Sequence, residues 1–129
     1  MTKRTFKMGQ INSMPRKLNE LKNGAKSRAT KKGMEFDLCD EYLETLYIGT
    51  QGFCPMTGIL MEWSAGTRAE RNLNSVSLDR IDNSKGYVKG NVRLVSTWYN
   101  NARNHSSDEY FLEMAKAFVS RQEKLTKIG

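Results

Sequence analysis

Asp79 stands near the end of an apolar-alternating stretch, Val76 to Ile81, and Asn100 follows a turn and a second such stretch, Asn91 to Val95. A carboxylate and an amide oxygen are hard ligands suited to a magnesium-type ion. Such an ion offsets the charge that builds on a phosphate during hydrolysis. Arg80, beside Asp79, carries a planar guanidinium that matches phosphate geometry and keeps its proton at neutral pH. His105 is the sole histidine, and imidazole is the side chain whose ordinary pKa lies nearest neutrality. It is therefore a candidate general base. The bland readings stand beside these. Asp82-Asn83 is a turn pair, a lone histidine at a helix end is a common cap, and Asn104, one helical turn beyond Asn100, reads as a C-cap.

These residues need a frame. Asn83-Ser84-Lys85-Gly86 is a strong turn signal, so the two stretches flanking it read as strands. Ile59 to Trp63 reads as a third, after a turn at Cys54-Pro55-Met56-Thr57-Gly58. Ser96 caps a short helix running to about Asn104. Ser106-Ser107-Asp108-Glu109 opens a last helix with a capping-box pattern, and Phe111, Met114, Phe118 and Leu125 line one face of it. Upstream, Ser13-Met14-Pro15 starts a helix in which Leu18, Leu21, Ala25 and Ala29 recur at helical spacing, with Gly33 ending it. A second helix over 40–48 carries Leu43, Leu46 and Tyr47 and is closed by Gly49 and Gly52. Residues 1–12 read as a flexible basic arm and 13–129 as one domain with its core at about 54–105. Trp63, Trp98 and Tyr99 are aromatic rings that could stack on bases; Trp98, between the second strand and the helix, is expected in the core instead.

The combination Ser77-Leu78-Asp79-Arg80-Ile81-Asp82-Asn83, Lys85-Gly86-Tyr87, Gly90-Asn91-Val92 and Asn100-Asn101-Ala102-Arg103-Asn104-His105 resembles the HNH, or His-Me finger, endonuclease family. That pattern places Asp-His on a first strand, Asn at the opening of a second, and Asn or His on a helix. Asp79, Asn91 and Asn100 fall at those positions, with Val95 at the apolar position and Arg103 where a basic residue often follows. The Cys54 to Gly58 turn resembles the family's lead-in, which in many members carries two zinc-binding cysteines. Thr57 stands where the second would be, so no structural zinc is expected. The resemblance extends from about Lys26 to His105.

It implies an α+β fold: a ββα-metal (HNH-like) core flanked by an N-terminal basic helical region and a C-terminal amphipathic helix. It also implies metal-dependent hydrolysis of a DNA phosphodiester, with nicking by a single site. Asp79 and Asn100 would hold Mg²⁺ or Mn²⁺, Arg80 would clamp a phosphate and Asn91 would brace the loop. Small free-standing members are frequent in bacteriophages, so the resemblance points to a phage origin. The departure is Arg80, standing where the family has its histidine base. Three readings stay open: Arg80 binds phosphate while metal-bound hydroxide or Asp82 activates water; His105 supplies the base; or the fold is kept as a DNA-binding scaffold without cleavage.

Charge agrees with a polyanionic partner. The 129 residues carry a net charge of +7. Lys3, Arg4, Lys7, Arg16, Lys17, Lys22, Lys26, Arg28, Lys31 and Lys32 crowd the first quarter against Glu20 alone. Such a segment binds nucleic acid by counterion release; the alternative is a solvated face. Arg16, Lys17, Lys26, Arg28, Lys31, Lys32, Lys85, Lys89 and Arg103 are the expected backbone contacts to duplex DNA, which position without reading sequence. RNA is the rival polyanion. No apolar run is long enough for a membrane span, no secretory signal is recognisable, and a cytoplasmic site of action is expected. In that compartment Cys39 and Cys54 should be free thiols.

Overall fold

The computed structural model describes residues 8–128. In chain order the elements are α1 (Met8–Lys32), α2 (Asp40–Thr50), β1 (Val76–Arg80), β2 (Val92–Ser96), α3 (Thr97–Arg103) and α4 (Asp108–Ile128). This is the expected α+β arrangement, a ββα unit with helices before and after it.

Leu18, Ala25 and Ala29 of α1 are buried, at the spacing that puts side chains on one helical face. The small alanines let the helix lie close to its neighbours. Gly33, at φ +68, ends α1 in the left-handed conformation that glycine takes without strain. The Met34 amide then bonds to the Ala29 carbonyl at 2.9 Å, satisfying a terminal acceptor. α1 begins earlier than its sequence signals predicted: residues 8–12 are helical and Pro15 lies inside. The remainder of the predicted arm, residues 1–7, lies outside the described residues.

β1 and β2 pair antiparallel with Leu78 opposite Leu94 and Asp79 opposite Arg93. The pleat sends alternate residues to opposite faces. Leu78 and Leu94 join Leu18, Leu43, Tyr47 and Met61 in the core, each buried leucine contributing roughly 1.5–3 kcal/mol. Asp79 and Arg93 are cross-strand partners on the other face, where α3 lies.

The predicted strand at 59–63 does not form. It makes only single bridges, Phe53 with Leu60 and Glu62 with Ser75. Met61 is fully buried while Ile59 and Leu60 are exposed, so one inward side chain pins the segment and no ladder is sustained. Trp98 also departs from expectation: it is 46% exposed, because α3 turns Tyr99, not Trp98, toward the sheet. Trp63 is packed on Tyr47, ring centroids 4.5 Å apart. Both cysteines are free thiols. α4 has no extended contact with another helix or strand; it is anchored near its start by Asp108 and Phe111.

Gly86 shows how the turn is held to the segment that follows α1. A Cβ there would lie 2.3 Å from the Glu35 carbonyl oxygen, so only glycine fits. The close approach lets the Tyr87 amide bond to Glu35 O at 2.9 Å, and the Asp37 amide to Tyr87 O at 3.2 Å. Tyr87 is fixed beneath the end of β1 as a result.

Candidate functional site

The neighbours Asp79 and Arg80 leave β1 on opposite sides and meet different surroundings. On the Asp79 side the sequence has placed a cluster of compensating charges. Asp79 is 3% exposed and Arg103 is 1% exposed. Arg103 Nη2 donates to Asp79 Oδ1 at 2.6 Å and Arg93 Nε donates to Asp79 Oδ2 at 2.9 Å. Arg93 continues to Asp108 through Nη1 at 2.9 Å and Nη2 at 2.8 Å, a bidentate pair. Tyr99 donates its hydroxyl proton to Asp108 Oδ1 at 2.6 Å. The guanidinium of Arg93 and the Tyr99 hydroxyl hold the Asp108 carboxyl down at about 2. Burial and the Asp108 carboxylate push the Tyr99 phenol up to about 12. Burial disfavours charge on Arg93, but Asp108 and Asp79 outweigh it and raise its pKa.

The Arg80 side opens into a cleft of about 490 Å³ between α1, β1 and α3, lined by Arg28, Arg80, Asn100, Asn101, Asn104 and His105 among others. Arg28 and Arg80 both lie against the Tyr87 ring, their guanidinium carbons 5.4 and 5.2 Å from its centroid. Arg28 Nε also donates to the Tyr87 hydroxyl at 3.1 Å. Arg80 Nη1 donates to the carbonyls of Asn83 at 2.9 Å and Lys85 at 3.0 Å, and so fixes the turn. Among the described residues its Nε and Nη2 have no partner, nor does Arg28 Nη2. Both guanidiniums thus retain donors for an anion. Asn100 Nδ2 donates to Ser77 Oγ at 2.8 Å, holding the amide across the β1–α3 seam. Asn104 is the C-cap of α3 at φ 51. His105 is exposed at the cleft margin, without a hydrogen-bond partner among the described residues.

The other sequence candidates distribute as follows. Asn91 is buried; its Nδ2 donates to the carbonyls of Asp82 and Gly86, and its Oδ1 accepts from the Asp82 amide. It braces the turn and does not enter the cleft. Lys31 and Lys32 follow Arg28 on α1, whereas Lys26 and Arg16, five residues from Leu21 on either side, lie roughly 140° around the helix from it. Arg16 and Lys17 are paired with Glu20, at 3.4 and 3.8 Å. Lys85 and Lys89 are exposed beyond the turn, with Lys89 Nζ 6.0 Å from the Tyr42 ring. The expectation that Arg103 grips DNA is corrected: its guanidinium is buried and bonded to Asp79, to Arg80 O at 2.6 Å and to Ser106 O at 2.8 Å.

Among the described residues Asp79 is the cleft's sole carboxylate, and each of its oxygens is engaged by a guanidinium. A divalent ion there would displace those bonds or sit beside two cations. Among the described residues no three His, Cys, Asp or Glu side chains form a metal-holding group. The donor set does not fit a resident divalent ion in this arrangement. Sequence reasoning missed the roles that Arg93, Tyr99, Asp108 and Tyr87 play in the site. Arg93 was recoverable from the hairpin register that sets it opposite Asp79; the others join only through tertiary packing.

No protein-family model matches the chain. Over 112 residues, 87% of its length, it is 30% identical to an uncharacterized 29.0 kDa protein from the dda–modA intergenic region of Enterobacteria phage T4, and it spans 40% of that relative's length. Its structure is similar to that of the rare-cutting HNH restriction endonuclease PacI, with a TM-score of 0.57 and 15% identity, over 84% of this chain and 81% of that one. The fold is HNH-like. In HNH-like terms the β1–β2 hairpin and α3 are the ββα unit, and the cleft lies along its β1–α3 side. No helix among the described residues is long and apolar enough to cross a membrane.

Proposed function

We propose that this chain is a DNA endonuclease that seats a backbone phosphate in the cleft and hydrolyses it. The observation that carries the reading is the convergence of Arg28, Arg80 and His105 on one cleft of an HNH-like fold. Arg28 and Arg80 would take the non-bridging phosphate oxygens with their remaining N–H donors and offset the charge that builds as water attacks. The amides of Asn100, Asn101 and Asn104 would orient the sugar–phosphate chain. His105 would accept the proton of the attacking water as the new P–O bond forms and the bond to the leaving oxygen breaks, with solvent protonating that oxygen. Lys31 and Lys32, continuing along α1 from Arg28, would extend the contact to flanking phosphates.

A second reading is a DNA-binding domain that does not cut. It is favoured by Asp79, whose oxygens are both committed to arginines, and by His105, which lacks an orienting partner among the described residues. One assay separates the two. Supercoiled plasmid is incubated with the wild type, His105→Ala and Arg28→Ala, with Mg²⁺, with Mn²⁺ and with chelator. Relaxed circles from the wild type, lost in His105→Ala, are the expected result. Intact plasmid under all three conditions, with a mobility shift still present, would replace the first reading by the second.

A further inference from the structure

The unaccounted feature of the molecule is α4. Leu112, Phe118 and Val119 are 55, 65 and 52% exposed, and Leu125 is 43% exposed. At 100° per residue these side chains, with Phe111 and Ala115, form one stripe. The stripe leads into an apolar groove of about 340 Å³, lined by Met56, Trp98, Phe111, Leu112 and Ala115 among others. An apolar face of this extent, on a helix that touches the rest of the fold only near its start through Asp108 and Phe111, marks a contact surface.

The charges beside the stripe say what covers it. Glu109, Lys116, Glu123 and Lys127 lie within roughly 40° of one another along one flank of α4. Their signs run minus, plus, minus, plus. A copy of the same helix laid antiparallel presents plus, minus, plus, minus, so Lys116 meets the other copy's Glu123 twice, and Glu109 meets Lys127 twice. In a parallel pair the two-fold runs along the helices and carries this flank to the opposite side of the partner, so the four charges would not meet their counterparts. The geometry points to α4 as a self-association surface: two copies of this chain pair their α4 helices antiparallel about a two-fold axis near Phe118 and Val119. In that register Phe118 and Val119 pack on their own counterparts, and Leu125 of each copy enters the groove beside Trp98 of the other. Such an isologous contact closes and does not propagate. A helix of this length offers roughly 600 Å² on one side. The groove brings this near the ~800 Å² per partner of a standard interface.

Sedimentation equilibrium of the full chain at micromolar concentrations is the test. The expected result is a species of twice the chain mass, reduced to monomer by Phe118→Asp with the helix content unchanged by circular dichroism. Lys116→Glu or Glu123→Lys alone should weaken association about tenfold, and the double exchange should restore it. Val119→Cys should form an inter-copy disulfide. Ala115→Cys should not, because the paired residues would lie about 10 Å apart along the helices, beyond disulfide reach. A monomeric wild type, a Phe118→Asp variant that still dimerises, or a double exchange that fails to restore association would each overturn the proposal.

Discussion

Asp79 and Arg80 are sequence neighbours that both border one cleft, yet the Asp79 carboxylate is locked in a closed cluster of charges while the Arg80 guanidinium keeps free donors on the open side. In the cluster every carboxylate oxygen of Asp79 meets a guanidinium, and Arg93 carries the link on to Asp108 and Tyr99. In the cleft the cations are stacked on Tyr87 and only part of their hydrogen-bonding capacity is used. Compensated burial fixes where α3 and the start of α4 lie against the hairpin. Incomplete compensation leaves N–H groups for something from outside. The same residue types therefore do opposite work, and the number of engaged donors and acceptors separates the two roles better than residue identity does.

The comparison breaks first at Asp79. Replacing it with alanine would remove the short ion pair of Arg103 in a site 1% exposed, leaving only Asp108 at 3.6 Å, at a cost of about 3 kcal/mol. Urea unfolding of Asp79→Ala without added metal measures this. A variant as stable as the parent would mean that the cluster does not hold the fold. Asp108 sharpens the same contrast. Its folded-state carboxyl lies at about 2, below the ordinary 3.8. Its contribution is complete above pH 4 and falls away as pH drops toward 2, amounting to about 2 kcal/mol. Stability followed across that window should decline less steeply in Asp108→Asn than in the wild type. On the open side the stability effect is smallest. Arg28→Ala should cost about 1 kcal/mol or less, while duplex affinity drops severalfold and the slope of log K against log salt becomes shallower by roughly 0.9. An unchanged salt slope would remove Arg28 from the phosphate contacts.

Much of the frame was legible. Helical spacing of Leu18, Ala25 and Ala29, the turn at Asn83 to Gly86 and the Ser96 cap are local signals, and local hydrogen bonding satisfies them. Ile59 to Trp63 misled because a strand needs a partner edge, and that segment finds one for a single residue at a time. Trp98 misled because a seven-residue helix can turn either of two adjacent aromatics inward, and Tyr99, with a hydroxyl that reaches Asp108, occupies the inner position. Among the candidate site residues, the order of Asp79, Asn91 and Asn100 carried the HNH resemblance, and Arg80 and His105 were singled out by type. Which of the basic residues stay free of internal bonds was not legible, since Arg28 and Arg103 look alike in a sequence.

Amino-acid order alone determined the basic α+β chain, its turns and caps, and the pattern that resembles an HNH core, because each depends on neighbours within a few residues. Tertiary structure decided that Asp79 is locked between Arg93 and Arg103, that Arg28 comes across from α1 to share Tyr87 with Arg80, and that α4 keeps an apolar face uncovered. Each of those outcomes depends on which distant groups compete for the same hydrogen bonds and the same buried surface, and that competition is settled only when the elements pack.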